Sequence, residues 1–234
     1  MPQKIFQVEG LGEVIVIKRR QSKNIRLSIN SKGQTKVSIP TWVPYLTGLG
    51  FAKSRRSWIV EKQGLAQAKQ LRSGDRIGKS HRLKLVESSG KTMSSRISGN
   101  QVLVFVPAGA STTDVQAAAT RGSERALKAE AEKFLPSRTS DYAKKYGYKY
   151  KQVRIKKLTS RWGSCSSDKV ISLSYYLMQL PWELIDYVII HELTHTKHLN
   201  HGADFWEDMK KHVPKARQYQ KWIRQHKPVV KGAK

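Results

Sequence analysis

The stretch HELTHTKHLNH, residues 191–201, contains four histidines and one glutamate. His191, Glu192 and His195 form the pattern H-E-x-x-H. Residues four apart on a helix lie on one face, about 6 Å apart along the axis, so both imidazoles can reach one metal ion. A catalytic zinc accepts imidazole nitrogen and keeps one coordination position open. The glutamate can then take a proton from a water molecule at that position.

A third protein ligand has two candidates in this stretch, His198 and His201. On a continuous helix His198 would lie about 10.5 Å beyond His191 along the axis, which is far for a shared ion. Asn200 and Gly202 can end the helix and let the chain return His201 to the ion. Histidine ligands at relative positions 0, 4 and 10 also occur in extended zincin motifs, which have glycine where this chain has His198. The spacing favours His201 and predicts one Zn²⁺ per chain, although another imidazole-binding divalent ion remains open.

The elements around this motif are predicted to be mostly helical. Pro181 can begin a helix, since its missing N–H is not needed there, and the helix carries apolar residues up to the motif. Upstream, a turn-rich loop separates two short strands, and the second strand is predicted to pair with an extended substrate. The predicted bounds are strands 152–158 and 170–174, loop 160–169, and helices 182–199, 203–213 and 215–226.

The front of the chain alternates strands with helices. Strand, turn, strand, proline and helix follow one another twice, an echo too weak to be identified as a repeat. The predicted strands are 13–17, 24–30, 35–40, 81–87 and 101–107, with a turn at 30–34, a helix over 43–71 weakened by Gly64, and a helix from about Ser111 interrupted by Gly122.

These elements predict an α+β fold, with a strand-rich N-terminal part followed by a helical, zincin-like C-terminal catalytic part. We place the boundary between residues 1–110 and residues 111–234. One continuous domain over about residues 20–226 is the alternative.

The charge of the chain is strongly positive. It has 44 Lys and Arg against 17 Asp and Glu, a net charge of +27, of which residues 1–100 carry +15. Such a field attracts polyanions, so nucleic acid is a candidate partner; a solvated basic surface is the alternative.

Targeting signals are not evident in the sequence. No run of 18 apolar residues or N-terminal leader is apparent, and Cys165 is the single cysteine, so no intrachain disulfide can form. We expect a cytoplasmic protein that does not contact membranes.

Several segments together resemble one family. RWGSC at 161–165, Pro181, IDYVIIHELTH at 185–195 and NHGADFW at 200–206 resemble the YgjP-like metallopeptidases, which are kin to the SprT-like and WLM zincins. IRLSI, VSIP and SWI in the front half are also similar to that family. The resemblance implies a zinc-dependent hydrolase, with ligands His191, His195 and His201 and Glu192 as the catalytic residue. The related groups are linked to DNA–protein repair, a role that would come here only by analogy.

Four further residues are predicted to surround the site. His198 is expected beside the ligands, Arg161 is expected to support the site, and Trp206 is expected to pack behind the third ligand. Tyr175 is expected to pack in the core, with donation to a developing oxyanion as the alternative. Cys165 is expected to be a small core residue.

Three functions fit these features. The first is a peptidase in which zinc polarises the scissile carbonyl of a peptide or protein and Glu192 is the general base. The second is a metal-dependent nucleotide phosphohydrolase. The third is a basic nucleic-acid-binding protein with a structural metal site, which the presence of Glu192 argues against.

Overall fold

The chain divides into two compact units, Met1–Gln70 and Leu71–Lys234. The computed structural model describes residues 2–29, 34–68, 70–226, 228 and 230, without the side chains of 64–68. The predicted turn at 30–34 lies mostly outside these residues. None of the helices in the described ranges combines the length and hydropathy needed to cross a bilayer.

The N-terminal unit is a four-stranded sheet with two helices. The sheet order is β1-β2-β4-β3, with β2 and β4 parallel and the outer strands antiparallel to them. Alternate residues of β2 and β4 form a small core with Ala52 and Ile59. The elements are β1 (Gln3–Val8), β2 (Gly12–Arg19), β3 (Arg26–Ile29), β4 (Thr35–Pro40), α1 (Tyr45–Ser54) and α2 (Arg56–Ala68). The single helix predicted over 43–71 is therefore two helices, because the backbone leaves helical geometry at Arg55.

The second unit begins with a sheet of the same topology. Its order is β5-β6-β8-β7, with β6 and β8 parallel and the outer strands antiparallel. The elements are β5 (Arg76–Ile77), β6 (His81–Ser88), β7 (Ser94–Ser98) and β8 (Gln101–Pro107). The weak echo in the sequence thus corresponds to a structural repeat of four strands followed by a helix. The echo was faint because β5 and β7 are short or polar and carry little apolar signal.

A long helix, α3 (Thr112–Tyr146), follows this second sheet. It begins at Ser111, whose side chain accepts a hydrogen bond from the Asp114 backbone N–H, as N-cap residues do. It ends at Gly147, which has φ +67°. The predicted interruption at Gly122 is wrong: the helix continues through it because the glycine lies where α3 touches the sheet. A Cβ there would lie 2.9 Å from Val102 Cγ1.

The C-terminal part holds a small sheet and three helices. The sheet order is β10-β11-β9, so β11 is the central strand. The elements are β9 (Gln152–Lys156), β10 (Gly163–Cys165), β11 (Val170–Ser174), a 3₁₀ helix (Tyr175–Gln179), α4 (Trp182–Thr194), α5 (Ala203–His212) and α6 (Ala216–Arg224). Sheets and helices in both units make this an α+β protein, as predicted.

One core joins the second sheet to the C-terminal helices. It contains Leu83 and Val102 of the sheet, Leu127 of α3 and Ile185 of α4, each at most 1% exposed. The compact units divide at 70/71, because α3 buries its apolar residues against both the sheet and α4; a functional boundary at 110/111 stays a prediction.

Candidate metal centre

Helix α4 carries the first two histidines. It begins after Pro181 and is buried on nearly every side, with Leu184, Ile185, Val188 and Ile189 in the core. A helix so enclosed holds its side chains in fixed directions. His191 lies in its last turn and His195 follows as the C-cap residue, four positions on. Their ring centroids are 4.9 Å apart.

The chain turns directly after α4, and this turn returns His201 to the first two histidines. The helix ends at Thr194, so it is shorter than predicted. The end is fixed by Thr194 and Thr196, whose hydroxyls donate to the carbonyls of Ile190 and Leu193. The helix thus stops before Asn200–Gly202, the segment that was predicted to end it. Side-chain hydroxyls that donate to carbonyls one turn back compete with the backbone hydrogen bonds that would continue the helix.

The three imidazoles of His191, His195 and His201 converge. One ligand nitrogen from each lies within 4.8 Å of the other two. His201 Nε2 is 3.1 Å from His191 Nε2. Tetrahedral ligands at zinc–nitrogen distances of 2.0–2.1 Å are about 3.3 Å apart. The geometry therefore suits a shared ion of zinc's size.

The protonation of the cluster also suits a cation. Burial, followed by the nearby His195 and His201, lowers the pKa of His191 to about 3, and burial lowers the pKa of His195. Neutral imidazole is the form that binds metals. His195 Nδ1 lies 2.9 Å from the His198 carbonyl, so Nδ1 donates and Nε2 keeps its lone pair. The buried Nδ1 of His191 has no hydrogen-bond partner among the described residues.

The Phe205 ring packs against all three imidazoles. Its ring centroid lies 5.0 Å from that of His191 and 4.7 Å from those of His195 and His201, and the side chain is fully buried. Trp206 packs beside it, with ring centroids 6.0 Å from His201. Both residues lie in the first turn of α5, so the same segment that returns His201 also supports it.

Glu192 lies next to the imidazoles but faces a different neighbour. It is 5% exposed, and burial raises its pKa to about 8, with Arg161 acting in the opposite direction. Gly163 of β10 faces its carboxylate so closely that an added Cβ would lie 2.6 Å from Oε1. Glycine at 163 is thus needed for the position of Glu192.

An open cleft of about 530 Å³ gives access to the cluster. Its walls come from the β10 segment, α4, the start of α5 and α6. The lining residues are Arg161, Trp162, Gly163, Tyr187, Val188, His191, Glu192, His201, Trp206, Arg217, Gln220, Ile223 and Arg224. The structure therefore brings the predicted Arg161 and Trp206 to the same cleft as the histidines and Glu192.

Two other predicted residues have different surroundings. His198 lies outside the imidazole cluster, with Nε2 3.4 Å from an Asp208 carboxylate oxygen, and contributes only its carbonyl to His195. Tyr175 is buried against Tyr176, with ring centroids 4.5 Å apart, and does not line the cleft. Its position is that of a core residue.

Cys165 on β10 is partly buried and packs against the core. Burial, with Glu192 as a second cause, raises the pKa of its thiol to about 11. The thiol thus stays protonated at neutral pH, and a thiol is a weak nucleophile compared with a thiolate.

Sequence reasoning missed three groups at this site. Asp208 connects His198 to Tyr148, whose hydroxyl donates to it at 3.1 Å. Arg217 and Arg224 of α6 line the cleft. Their seven-residue spacing placed them on one helix face, which was the available signal, but nothing local indicated that this face would meet α4.

A family model described as YgjP-like, metallopeptidase domain matches residues 23–226. Among solved structures, the metallopeptidase zymogen of Pyrococcus abyssi abylysin is 27% identical to this chain. The match covers 37% of this chain and 89% of that chain, with a TM-score of 0.35, which is too low to support a comparison of folds. No curated protein matches the chain significantly.

Proposed function

The chain belongs to the YgjP-like metallopeptidase family, and on that premise we propose that it is a zinc peptidase whose ligands are His191, His195 and His201. The observation that carries this proposal is the convergence of three imidazoles within 4.8 Å beside a buried glutamate. Zinc, when bound, would supply a Lewis acid that polarises the scissile carbonyl and lowers the pKa of water.

The residues of the chain supply the proton transfers. Burial raises the pKa of Glu192 above its ordinary value, which makes its carboxylate a stronger base for the proton of the attacking water. It takes a proton from the attacking water and returns it to the leaving amine. Tyr187 lines the cleft, and burial raises its pKa to about 12, so its phenol stays protonated and can donate a hydrogen bond to the substrate carbonyl. Tyr187 thus replaces Tyr175 as the candidate donor.

An extended substrate would pair with β10, and not with β11 as expected from the sequence. β11 has β10 and β9 on its two sides, so its backbone groups are already paired. β10 is an edge strand of that three-stranded sheet and adjoins Glu192 through Gly163. An edge strand can accept a further strand through main-chain hydrogen bonds.

Metal content and hydrolysis test this proposal together. We expect the wild type to hold about one zinc by mass spectrometry, His201→Ala to lose it, and His198→Ala to keep it. We expect Glu192→Gln to keep zinc and to cleave a fluorogenic peptide panel at least about a hundredfold more slowly, since general base catalysis contributes about 10²–10⁴. Full hydrolysis by Glu192→Gln, or zinc retained in His201→Ala, would contradict the proposal. Cleavage of nucleotides but not peptides would favour the phosphohydrolase.

A second candidate function is polyanion binding by the N-terminal unit. A cavity of about 1090 Å³ is lined by Lys18, Arg19, Arg20, Lys23 and Arg26. Among the described residues, its lining contains no carboxylate, and none of these five forms an ion pair with a carboxylate. We infer that this cavity binds the phosphates of single-stranded nucleic acid, because exposed Trp42 follows Thr41 of its lining and could stack on a base.

The salt dependence of binding tests this second candidate. Five phosphate contacts on a single strand predict a slope of about −3.5 in log affinity against log salt. We expect Arg20→Glu combined with Lys23→Glu to reduce both slope and affinity for a labelled oligonucleotide in fluorescence anisotropy. Lys53→Glu on the exposed part of α1 is the matched control. Equal losses in both variants would mean that binding is diffuse. The cytoplasmic location expected from the sequence stays a prediction.

A further inference from the structure

Among the described residues, three arginines and one buried glutamate are the charged groups that line the catalytic cleft: Arg161, Arg217, Arg224 and Glu192. Lysines outnumber arginines in the chain by 28 to 16, yet no lysine of the described ranges lines the cleft. A surface that was basic only by composition would be expected to include lysine. Arginine differs because its planar fork binds carboxylates through two parallel hydrogen bonds.

The arginines of α6 share one face of that helix. Arg217, Gln220 and Arg224 are spaced by three and four residues, which places them in a row along the helix, and all three line the cleft. Exposed Lys221, on the same helix, does not. The row therefore presents two cations and one amide along one wall of the cleft.

Arg217 is held in place by stacking on an aromatic ring. Its guanidinium carbon lies 3.6 Å from the ring centroid of Trp206, which packs against His201. Stacking uses the face of the guanidinium and leaves its in-plane N–H groups free to donate. Within the described ranges, no carboxylate forms an ion pair with Arg161, Arg217 or Arg224. The cleft thus has cationic donors ready for an anionic ligand next to the catalytic centre.

We propose that the cleft selects peptides that carry a carboxylate within a few residues of the scissile bond, with Arg217 and Arg224 as its specificity-determining residues. This inference rests on the proposed peptidase function and adds the substrate class. The carboxylate could belong to an Asp or Glu side chain or to the C-terminus of a peptide. The two kinds of carboxylate have the same charge and the same pair of oxygens. The experiment below therefore includes a separate peptide for each.

The first experiment compares hydrolysis by the zinc-loaded full-length protein. Four peptides share one core: an amidated neutral peptide, the same peptide with Glu, the same with Lys, and the neutral peptide with a free C-terminus. We expect at least a tenfold higher kcat/KM for the Glu peptide than for the Lys peptide, mainly through KM, and a smaller ratio at high salt. A preference confined to the free C-terminus would assign the site to terminal carboxylates.

Variants of α6 then test the residues. Arg217→Gln and Arg224→Gln should each reduce the ratio of kcat/KM for the Glu peptide to that for the Lys peptide. Arg217→Glu should reverse the preference towards Lys. Lys221→Gln, on the same helix but outside the cleft, should leave the ratio unchanged. A Glu-to-Lys ratio near one in the wild type, or an unchanged ratio in the double variant of Arg217 and Arg224, would overturn the inference and leave the peptidase function standing.

A binding experiment separates this inference from the peptidase proposal. Tetramethylrhodamine-labelled Glu and Lys peptides are titrated with zinc-loaded Glu192→Gln, and anisotropy gives their affinities. At least tenfold tighter binding of the Glu peptide, even if the wild type cleaves none of the four peptides, would support carboxylate recognition while rejecting the peptidase. Equal binding of both peptides would reject the recognition itself.

Discussion

The two four-stranded sheets have the same strand order and directions but lie in different surroundings. The first is followed by the ten-residue α1 and has a core of its own. The second is followed by the 35-residue α3, which shares a core with α4 and therefore with the metal centre. One topology thus serves as a separate unit in one case and as part of the catalytic unit in the other.

Charge also distinguishes the two sheets. The segment that joins β2 to β3 begins after Lys18 and Arg19 and contains Arg20 and Lys23. The equivalent segment between β6 and β7 contains one basic residue, Lys91. The repeated backbone therefore does not determine chemistry, which resides in the connecting segments, as is usual for loops on a rigid scaffold.

The largest expected difference in stability between matched substitutions in the two sheets concerns the first turn of each sheet. Glu130 of α3 is 3% exposed and accepts from the backbone N–H groups of Lys79, Ser80 and His81. Hydrogen bonds to a charged group contribute about 1.5–3 kcal/mol each, so we expect Glu130→Gln to destabilise the second unit by about 3 kcal/mol in urea unfolding. Exposed Glu9, in the turn between β1 and β2, is the control, and Glu9→Gln should cost less than about 0.5 kcal/mol. Equal costs would mean that the turns are equally anchored.

A smaller effect on stability is expected from substitutions where a helix touches each sheet. A Cβ on Gly48 of α1 would lie 2.8 Å from Val16 Cγ1, and one on Gly122 of α3 would lie 2.9 Å from Val102 Cγ1. Overpacking costs about 1–3 kcal/mol, so both Gly48→Leu and Gly122→Leu should lower the melting temperature.

Zinc retention separates these two variants. Gly122→Leu should also weaken zinc retention against a chelator, because α3 and α4 share a core, whereas Gly48→Leu should leave it unchanged. Weakened retention in Gly48→Leu would contradict the separation of the two sheets.

The smallest expected effect concerns the equivalent loops. Lys23→Glu should weaken oligonucleotide binding about fivefold, since one phosphate contact is lost and a negative charge is added. Lys91→Glu makes the same change in the second sheet and should alter the affinity less than about twofold. Anisotropy at one fixed salt concentration measures both. Equal effects would assign polyanion binding to net charge and not to the cavity.

Local sequence predicted the helix that carries the motif and the return of His201, because helix spacing and a terminal glycine are local signals. It also predicted the α+β class and the family. It could not predict that β10 and not β11 lies at the edge, because sheet order depends on pairing between distant segments. Arg217 was missed for the same reason: its role depends on α6 packing near α4.

Cys165 makes the edge strand β10 a site for a single probe. The chain has no other thiol, and this one lies on the edge strand beside Gly163. A maleimide dye attached there would mark one position in every molecule, with no engineering of other cysteines. Its thiol, with a pKa of about 11, would react slowly at neutral pH. A peptide lying along β10 should slow that reaction further, so the rate of labelling would report substrate occupancy without any cleavage.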